Sequence, residues 1–310
     1  MPVHPVLTGC GPSIPENHMR PPLVLTVSAS DSDGAAGIQA DLKTFSALGV
    51  YGASAVSMVC AVNTQGLRGT HYLPGDVVRS QIDAVAEDLV LDATKIGALG
   101  SAAVVEAVAA AVRAHRDRLG WILLDSVMIG TDGAPLISSE GARALRTALL
   151  PHVDMLTSNM VEAAQLLGVA PATTIDGMRE QALALQALGP TIVLITGGRL
   201  VGDDAVDVLV HPGGTDLLRA ERVPGRHVRG AGATLSAAIT AQMARIREFD
   251  RAGELDEIGE KGADDDVVTI VASAREFLAS AIENAEDWEV SRATGQAFGP
   301  VNHLITLDRA

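Results

Sequence analysis

A run of small residues, Gly230, Ala231, Gly232 and Ala233, stands directly before a helical pattern that begins at Thr234. Small side chains leave the backbone N–H groups of such a loop uncovered. The first turn of the helix adds N–H groups that have no intrahelical partner, and it adds the positive end of the helix dipole. Together these groups can hold a phosphate or the charge of a phosphoryl group in transfer. The motif alone leaves open an ordinary loop whose small residues let a helix pack closely.

Polar residues follow the ends of several short apolar runs that are typical of buried strands. In a sheet of parallel strands, ligands bind beyond the carboxyl ends of the strands. One such coincidence would mean little, but six of them favour a single shared cleft. The six positions are Asp31, Asn63, Lys95, Asp125, Asn159 and the group Thr196, Gly197 and Gly198.

The elements that must position these residues alternate along the chain as short apolar strands and amphipathic helices. This alternation predicts an α/β fold with a mainly parallel central sheet and helices on both faces. Strands are expected at residues 23–27, 53–62, 94–96, 121–125, 155–157 and 191–196, and a hairpin at 205–224. Helices are expected at residues 38–48, 75–90, 101–118, 138–149, 161–167, 175–188, 234–248 and 267–285.

Composition excludes several classes of protein. The net charge is −15, and no basic stripe with interleaved aromatic residues occurs, which argues against nucleic acid and anionic membranes as partners. No apolar run is long enough for a membrane span, and the first residues lack the pattern of a signal peptide. The only cysteines are Cys10 and Cys60, so neither a disulfide framework nor a zinc pattern is indicated. We therefore expect a soluble, cytoplasmic protein.

Two segments look peripheral to the folded part. Residues 1–22 are rich in proline without periodicity, which predicts a flexible N-terminal extension before a single domain at 23–310. Residues 248–266 contain nine acidic residues and only two basic ones, Arg251 and Lys261. We interpret about 249–266 as a solvated, mobile insertion rather than a functional acidic patch.

An ordered series of motifs extends from about residue 23 to residue 303. It consists of Ser30-Asp31, residues 34–45 (GAAGIQADLKTF), 94–97 (TKIG), 125–128 (DSVM), Asn159 with Glu162 and Ala163, Gly197-Gly198, 230–236 (GAGATLS) and 299–303 (GPVNH). The series resembles that of the hydroxymethylpyrimidine/phosphomethylpyrimidine kinases of thiamine biosynthesis, which belong to the ribokinase-like superfamily. The resemblance implies a three-layer α/β/α sandwich with ATP and a small-molecule substrate at the strand ends. We also expect a homodimer.

The resemblance also implies roles for individual residues. Gly230 to Ala233 would form the anion hole, Asp125 and Glu162 would lie at a Mg²⁺ ion, and the remaining positions would contact nucleotide or substrate. Simpler roles stay open for three of these residues. Asp41 could be an exposed helix acid, Glu162 an acid favoured by a helix dipole, and Lys95 a residue that merely ends a strand. The nucleotide residues would be Lys95, Asn159, Glu162, Thr196, Gly197, Gly198 and Thr234, and the substrate residues Asp31, Ala36, Asp41, Val62 and Ala98.

The chain departs from the family pattern where substrate and phosphate meet. The family has a cysteine, and its superfamily an aspartate, at the position of Ala233, and alanine cannot accept the proton of a substrate hydroxyl. Val62 replaces a glutamine that bonds the pyrimidine, and Ala98 replaces a methionine of the pocket. Family motifs also differ at residues 131–133 (TDG), 196–199 (TGGR) and 227–229 (HVR).

Two classes of function follow from these observations. The first is an ATP-dependent kinase for a hydroxymethyl group on a pyrimidine or a pyridoxal-like pyridine, or for a less polar alcohol suited to Val62 and Ala98. Phosphoryl transfer depends mostly on positioning and charge stabilisation, so it can proceed slowly without a base. The second is a ligand-binding protein on the same fold, with weak or no catalysis. We predict the kinase, acting on hydroxymethylpyrimidine or its monophosphate.

Overall fold

The computed structural model describes residues 20–130, 133–198, 200, 204–221, 228–252, 263–292 and 299–306. Most of the expected N-terminal extension, the centre of the acidic insertion and residues 131, 132, 199 and 227 of the divergent motifs therefore lie outside the described residues. The strands are β1 (Leu23–Asp31), β2 (Tyr51–Asn63), β3 (Gly66–Tyr72), β4 (Ala93–Ile96), β5 (Trp121–Asp125), β6 (Met155–Asn159), β7 (Ile192–Thr196), β8 (Asp204–His211), β9 (Gly214–Glu221), β10 (Val228–Arg229) and β11 (Gly299–Pro300). The helices are α1 (Gly37–Ala47), α2 (Gly75–Asp88), α3 (Ala102–Ala114), α4 (Ser139–Ala144), α5 (Met160–Leu167), α6 (Ile175–Gln186), α7 (Ala231–Ala252) and α8 (Ala263–Glu283).

The centre of the fold is a nine-stranded sheet in the order β3-β2-β1-β4-β5-β6-β7-β8-β9. The strands from β2 through β1, β4, β5 and β6 to β7 pair in parallel, and β3, β8 and β9 are antiparallel additions at the two sides. Consequently β1, β4, β5, β6 and β7 all end at the same edge of the sheet. A separate parallel pair, β10 and β11, lies outside this sheet.

Apolar side chains from the two faces of the sheet enter different cores. On β5, Ile122 and Leu124 pack with helices α2 to α6, whereas Trp121 and Leu123 pack with α1, α7 and α8. Successive side chains of a strand point to opposite faces, so a continuous apolar run such as β5 must be covered on both sides. The predicted three-layer α/β/α sandwich with a mainly parallel sheet is confirmed.

The sequence expectations differ from the structure at a few boundaries. β1 continues through residues 28–31, which looked like a loop, and β3 was not expected at all. The expected helix 138–149 is α4 followed by a π-helical turn, Leu145–Leu149, and a short 3₁₀ turn, Leu150–His152. Helix α7 continues to Ala252 and α8 begins at Ala263, so helices extend into both ends of the predicted insertion at about 249–266.

Within the described part of the chain, no helix is both long and apolar enough to cross a bilayer.

Candidate active site

The expected shared cleft exists as a cavity of 370 Å³ at the carboxyl ends of the parallel strands. Five of the six strand-end positions line it, namely Asp31, Lys95, Asp125, Asn159 and Thr196. All of these except Lys95 are the final residue of their strand. Asn63 is not a lining residue. Its side-chain oxygen instead accepts a hydrogen bond from the backbone N–H of Gln65 in the β2–β3 turn.

The small residues 230–233, which we call the anion loop, line one end of the cavity. Gly230 has φ +82°, and a Cβ atom there would lie 1.7 Å from the carbonyl oxygen of Ala35, so this position requires glycine. Helix α7 begins at Ala231, and the N–H of Thr234 donates to the carbonyl of Gly230 at 2.8 Å. The N–H groups of residues 231–233 precede this first helical bond, so they are free to face an anion.

A buried ion pair lies behind the anion loop. The Lys95 ammonium donates to the Asp41 carboxylate and, at 3.3 Å, to the carbonyl of Ala233. Asp41 has no solvent exposure and also accepts a 2.6 Å hydrogen bond from the Thr26 hydroxyl. Burial raises the pKa of Asp41, and the Lys95 charge opposes that shift.

Asp41 is fully buried and does not line the cavity, so the alternative of an exposed helix acid is wrong. Its carboxylate bonds Lys95, which does line the cavity. Contact between Asp41 and a substrate stays a prediction.

Two carboxylates, Asp125 and Glu162, also line the cavity. The Ser236 hydroxyl of α7 donates to Asp125 at 2.8 Å, and burial raises the pKa of Asp125. The Glu162 carboxylate accepts the N–H of Met128 at 3.1 Å and that of Asn159 at 3.3 Å. Burial, followed by the nearby Asp125 charge, raises the pKa of Glu162 to about 7.

Local sequence explains why Glu162 is held in this place. Asn159 ends β6 and caps α5, where its side chain accepts the N–H groups of Val161 and Glu162, while Glu162 reaches back to the N–H of Asn159. This is a capping box, which fixes both side chains at the helix start. The two carboxylates are an oxygen-donor pair, and no group of three or more potential metal ligands occurs among the described residues.

Seven apolar side chains line the cavity, and we call them the apolar wall: Ala36, Met58, Cys60, Val62, Leu67, Ala98 and Val127. The backbone of Val62 is already engaged, because its N–H donates to the Ser32 hydroxyl at 2.9 Å and its carbonyl accepts from that hydroxyl at 2.7 Å. Ala98 is similarly bonded, with its carbonyl accepting from Ser57 at 2.6 Å and its N–H donating to Ser28 at 3.2 Å. The expected positions Ala36, Val62 and Ala98 therefore all line this cavity.

An ion-pair cluster at the cavity edge was not found by sequence reasoning. The guanidinium of Arg229 donates to Asp31 at 2.7 Å and to Asp33 at 2.6 Å. Asp31 also accepts the N–H groups of Asp33 and Ala36, each at 2.9 Å. Burial raises the pKa of Asp33, although Arg229 opposes the shift. Arg229 was noticed only as a departure from a family motif, and its reach across 198 residues to Asp31 left no local signal.

The nucleotide positions divide into two groups. Thr196 and Gly198 line the cavity, whereas Gly197 and Thr234 do not. The N–H of Gly197 donates to Asp207 at 2.8 Å, and a Cβ atom at Gly197 would lie 2.0 Å from a backbone oxygen of β8. Thr234 is fully buried beneath the anion loop. Gly197 and Thr234 thus lie behind residues that line the cavity, and nucleotide contact by them stays a prediction.

Sequence comparison identifies relatives over most of the chain. The family model described as phosphomethylpyrimidine kinase matches residues 31–254. The hydroxymethylpyrimidine/phosphomethylpyrimidine kinase of Escherichia coli K12 is 38% identical over 280 residues, which cover 90% of this chain and 96% of the relative. The enzyme of the same name from Streptomyces coelicolor is 38% identical over 289 residues, covering 93% of this chain and 97% of the relative.

Solved structures of similar fold include two kinds of vitamin kinase. An ADP complex of Bacillus subtilis pyridoxal kinase has a TM-score of 0.75 and 32% identity, covering 93% of this chain and 99% of that one. Phosphomethylpyrimidine kinase from Clostridium difficile 630 has a TM-score of 0.67 and 31% identity, covering 82% of this chain and 98% of that one.

Proposed function

We propose, because this chain belongs to the phosphomethylpyrimidine kinase family, that it transfers a phosphoryl group from ATP to the hydroxymethyl group of hydroxymethylpyrimidine, and to the phosphate of the monophosphate. One observation carries the proposal. A single cavity is lined by a helix N-terminus, a lysine, two carboxylates and the apolar wall. Phosphoryl transfer needs little covalent help from a protein, and it depends on positioning and on stabilisation of charge.

The anion loop and Lys95 supply the positive side of the site. N–H groups at the start of α7 are aimed by the fold before any ligand binds, so they need no reorganisation during transfer. Lys95 is fixed by Asp41 and by the Ala233 carbonyl, which places its ammonium beside the same loop. A transferring phosphoryl group between them would meet preorganised donors on its equatorial oxygens.

The carboxylate pair suits a magnesium ion. Mg²⁺ is usually held in proteins by one or two carboxylates together with substrate phosphates and water. Burial and, after it, the Asp125 charge raise the pKa of Glu162, so a bound cation would relieve the repulsion between the two carboxylates. The proposed ligands are Asp125 and Glu162, and the ion would neutralise charge on the nucleotide phosphates.

Proton removal is the weak part of this site. Ala233 has no basic atom, and Asp31, the carboxylate at the end of β1, already accepts hydrogen bonds from two N–H groups and Arg229. The Asp31 oxygens that could take a proton from the substrate are thus already engaged by these donors. A general base contributes about 10²- to 10⁴-fold to rate, so we propose a slow kinase rather than an inactive one.

A pyridoxal-type alcohol is the second candidate substrate. Two observations favour it. The B. subtilis and Staphylococcus aureus pyridoxal kinases reach TM-scores of 0.75, above the 0.67 of the C. difficile pyrimidine kinase. The apolar wall also offers Val62 where a pyrimidine-binding side chain would stand. The relatives named above nevertheless favour the pyrimidine. Both are pyrimidine kinases, and this chain matches 96% and 97% of their length.

The assay that tests this proposal offers hydroxymethylpyrimidine, its monophosphate and pyridoxal in parallel with Mg-ATP and measures phosphorylated product. We expect product with the first two compounds and less with pyridoxal. Product from pyridoxal alone would replace the proposal by its alternative, and absence of product from all three would refute it.

The homodimer and the cytoplasmic location belong to the same proposal, and light scattering on the purified chain tests the dimer.

A further inference from the structure

The segment 299–303 (GPVNH) is built into the wall behind the anion loop. β11 pairs in parallel with β10, which comes directly before Gly230. On its other side, the N–H of Asn302 donates to the carbonyl of Ala281 near the end of α8 at 2.8 Å. Asn302 and His303 are almost completely buried. The segment is therefore held from two sides, and it places the imidazole of His303 under the first turn of α7.

The Thr234 hydroxyl links His303 to the anion loop. It lies 2.9 Å from the carbonyl oxygen of Gly230 and 3.0 Å from Nε2 of His303. A carbonyl oxygen only accepts, so a hydroxyl that donates to Gly230 can only accept from Nε2 of His303, which requires the tautomer with its proton on Nε2. Burial and the Lys43 charge lower the pKa of His303 to about 3, so the ring is neutral.

This chain of hydrogen bonds acts on the anion loop through one peptide unit. The carbonyl of Gly230 accepts two bonds, from the N–H and from the hydroxyl of Thr234. The C=O of Gly230 and the N–H of Ala231 belong to the same planar trans peptide and point in opposite directions. A carbonyl of Gly230 that is held toward Thr234 therefore holds the N–H of Ala231 away from Thr234. This matters for the cavity because residues 230–233 line it.

We propose that His303 is a positioning residue of the anion loop, which holds the Gly230–Ala231 peptide in its anion-binding orientation through Thr234. It touches neither nucleotide nor substrate. The inference rests on the proposed kinase function for its effect on turnover, but the tautomer and the hydrogen-bond chain do not depend on that function. The proposal assigns a positioning role to the motif at residues 299–303.

The test uses matched variants in the full chain. His303→Gln keeps an N–H donor near the position of Nε2, whereas His303→Leu removes it. We expect His303→Leu to lower kcat roughly tenfold, less than the loss on removal of a direct oxyanion donor, with an unchanged KM for the alcohol. His303→Gln should recover most of that loss. His71→Leu, at an exposed position of β3, is the control and should change nothing.

A double-mutant cycle separates positioning from general damage. In a Thr234→Val background the link to Gly230 is already cut, so adding His303→Leu should lower kcat no further. Equal loss in the Gln and Leu variants, or independent losses in the cycle, would overturn the proposal.

An NMR measurement keeps the inference testable if no alcohol is turned over. Nitrogen-15 shifts of the His303 ring should show a protonated Nε2 and an unprotonated Nδ1 at neutral pH, and Thr234→Val should perturb the Nε2 signal. The opposite tautomer, or an unperturbed ring, would overturn the proposal. Failure of the substrate panel with the expected tautomer would refute the kinase function alone.

Discussion

Glu162 should make the free energy of unfolding fall as the pH rises. The folded chain holds the Glu162 proton up to a pKa of about 7, whereas the ordinary pKa is 4.5. Between these values the unfolded chain loses the proton first, so each step up in pH favours unfolding. At about 1.4 kcal/mol per pKa unit, the full effect is about 3 kcal/mol.

Glu162→Gln removes this pH dependence at a small fixed cost. Glutamine has one acceptor oxygen, but the N–H groups of Met128 and Asn159 both point at the side chain. One of these bonds is lost, at about 1 kcal/mol. The variant should therefore be more stable than wild type by about 2 kcal/mol at pH 8, and less stable by about 1 kcal/mol near pH 4.5.

Urea unfolding in metal-free buffer at a series of pH values between 4.5 and 8 measures this difference. Glu140→Gln is the matched control, because Glu140 also lies in the first turn of a helix but is exposed. Its curve should run parallel to that of wild type. If the Glu162→Gln curve also runs parallel to wild type, Glu162 does not hold a proton at neutral pH, and the reasoning about the carboxylate pair is refuted.

Three further predictions test other parts of the structure. Gly232→Asp should weaken Mg-ATP binding at least about tenfold in calorimetry, because the new carboxylate repels the phosphates. A side chain fits at this position, since a Cβ at Gly232 meets nothing within 4 Å. Gly232→Asn is the neutral control, and equal affinities of the two variants would contradict the anion-binding role. Asp207→Asn keeps an acceptor for Gly197 but removes the charge that pairs with Arg275 at 2.9 Å, so it should lower the free energy of unfolding by about 1–3 kcal/mol, and an unchanged value would contradict this. Replacing residues 253–262 by a Gly-Ser linker of equal length should leave the melting temperature within a few degrees, because this stretch is acidic with few apolar residues; a larger drop would show that it packs on the core.

Much of the fold could be predicted because its strands are apolar on both faces. Trp121–Asp125 is apolar until its final carboxylate, and the predicted bounds match β5. β3 (Gly66–Tyr72) escaped prediction because its sequence, GLRGTHY, is mostly polar and lies at the sheet edge, where no core imposes a pattern. The start of α7 was placed at Thr234 because glycine and alanine in residues 231–233 indicated a loop, although tertiary structure makes them the first turn.

The candidate site was predicted as far as its parts lie next to each other in sequence. Strand-end residues such as Asp125 and Asn159 follow from the parallel sheet, since such ends meet at one edge. The ion pair of Asp41 could not be predicted, because helical periodicity gives the face of a residue but not its partner, here Lys95 on β4. The contacts of Arg229 and His303 could not be predicted either, because their partners, Asp31 and Thr234, lie 198 and 69 residues away.

The central claim is that this chain has a phosphoryl-transfer site that lacks chiefly its proton acceptor. The most direct test compares turnover of Mg-ATP and hydroxymethylpyrimidine by wild type and Ala233→Cys, with phosphorylated product followed by phosphorus NMR. A thiol at the start of α7 is favoured as thiolate by the helix N-terminus. We expect slow product formation by wild type and a gain of at least about tenfold in kcat for Ala233→Cys, near the lower end of what a general base supplies. Val62→Gln, in contrast, should act mainly on KM, because it lies in the apolar wall. If the variant that combines Ala233→Cys with Val62→Gln binds ATP and hydroxymethylpyrimidine but forms no product, the claim is contradicted and the chain is a binding protein.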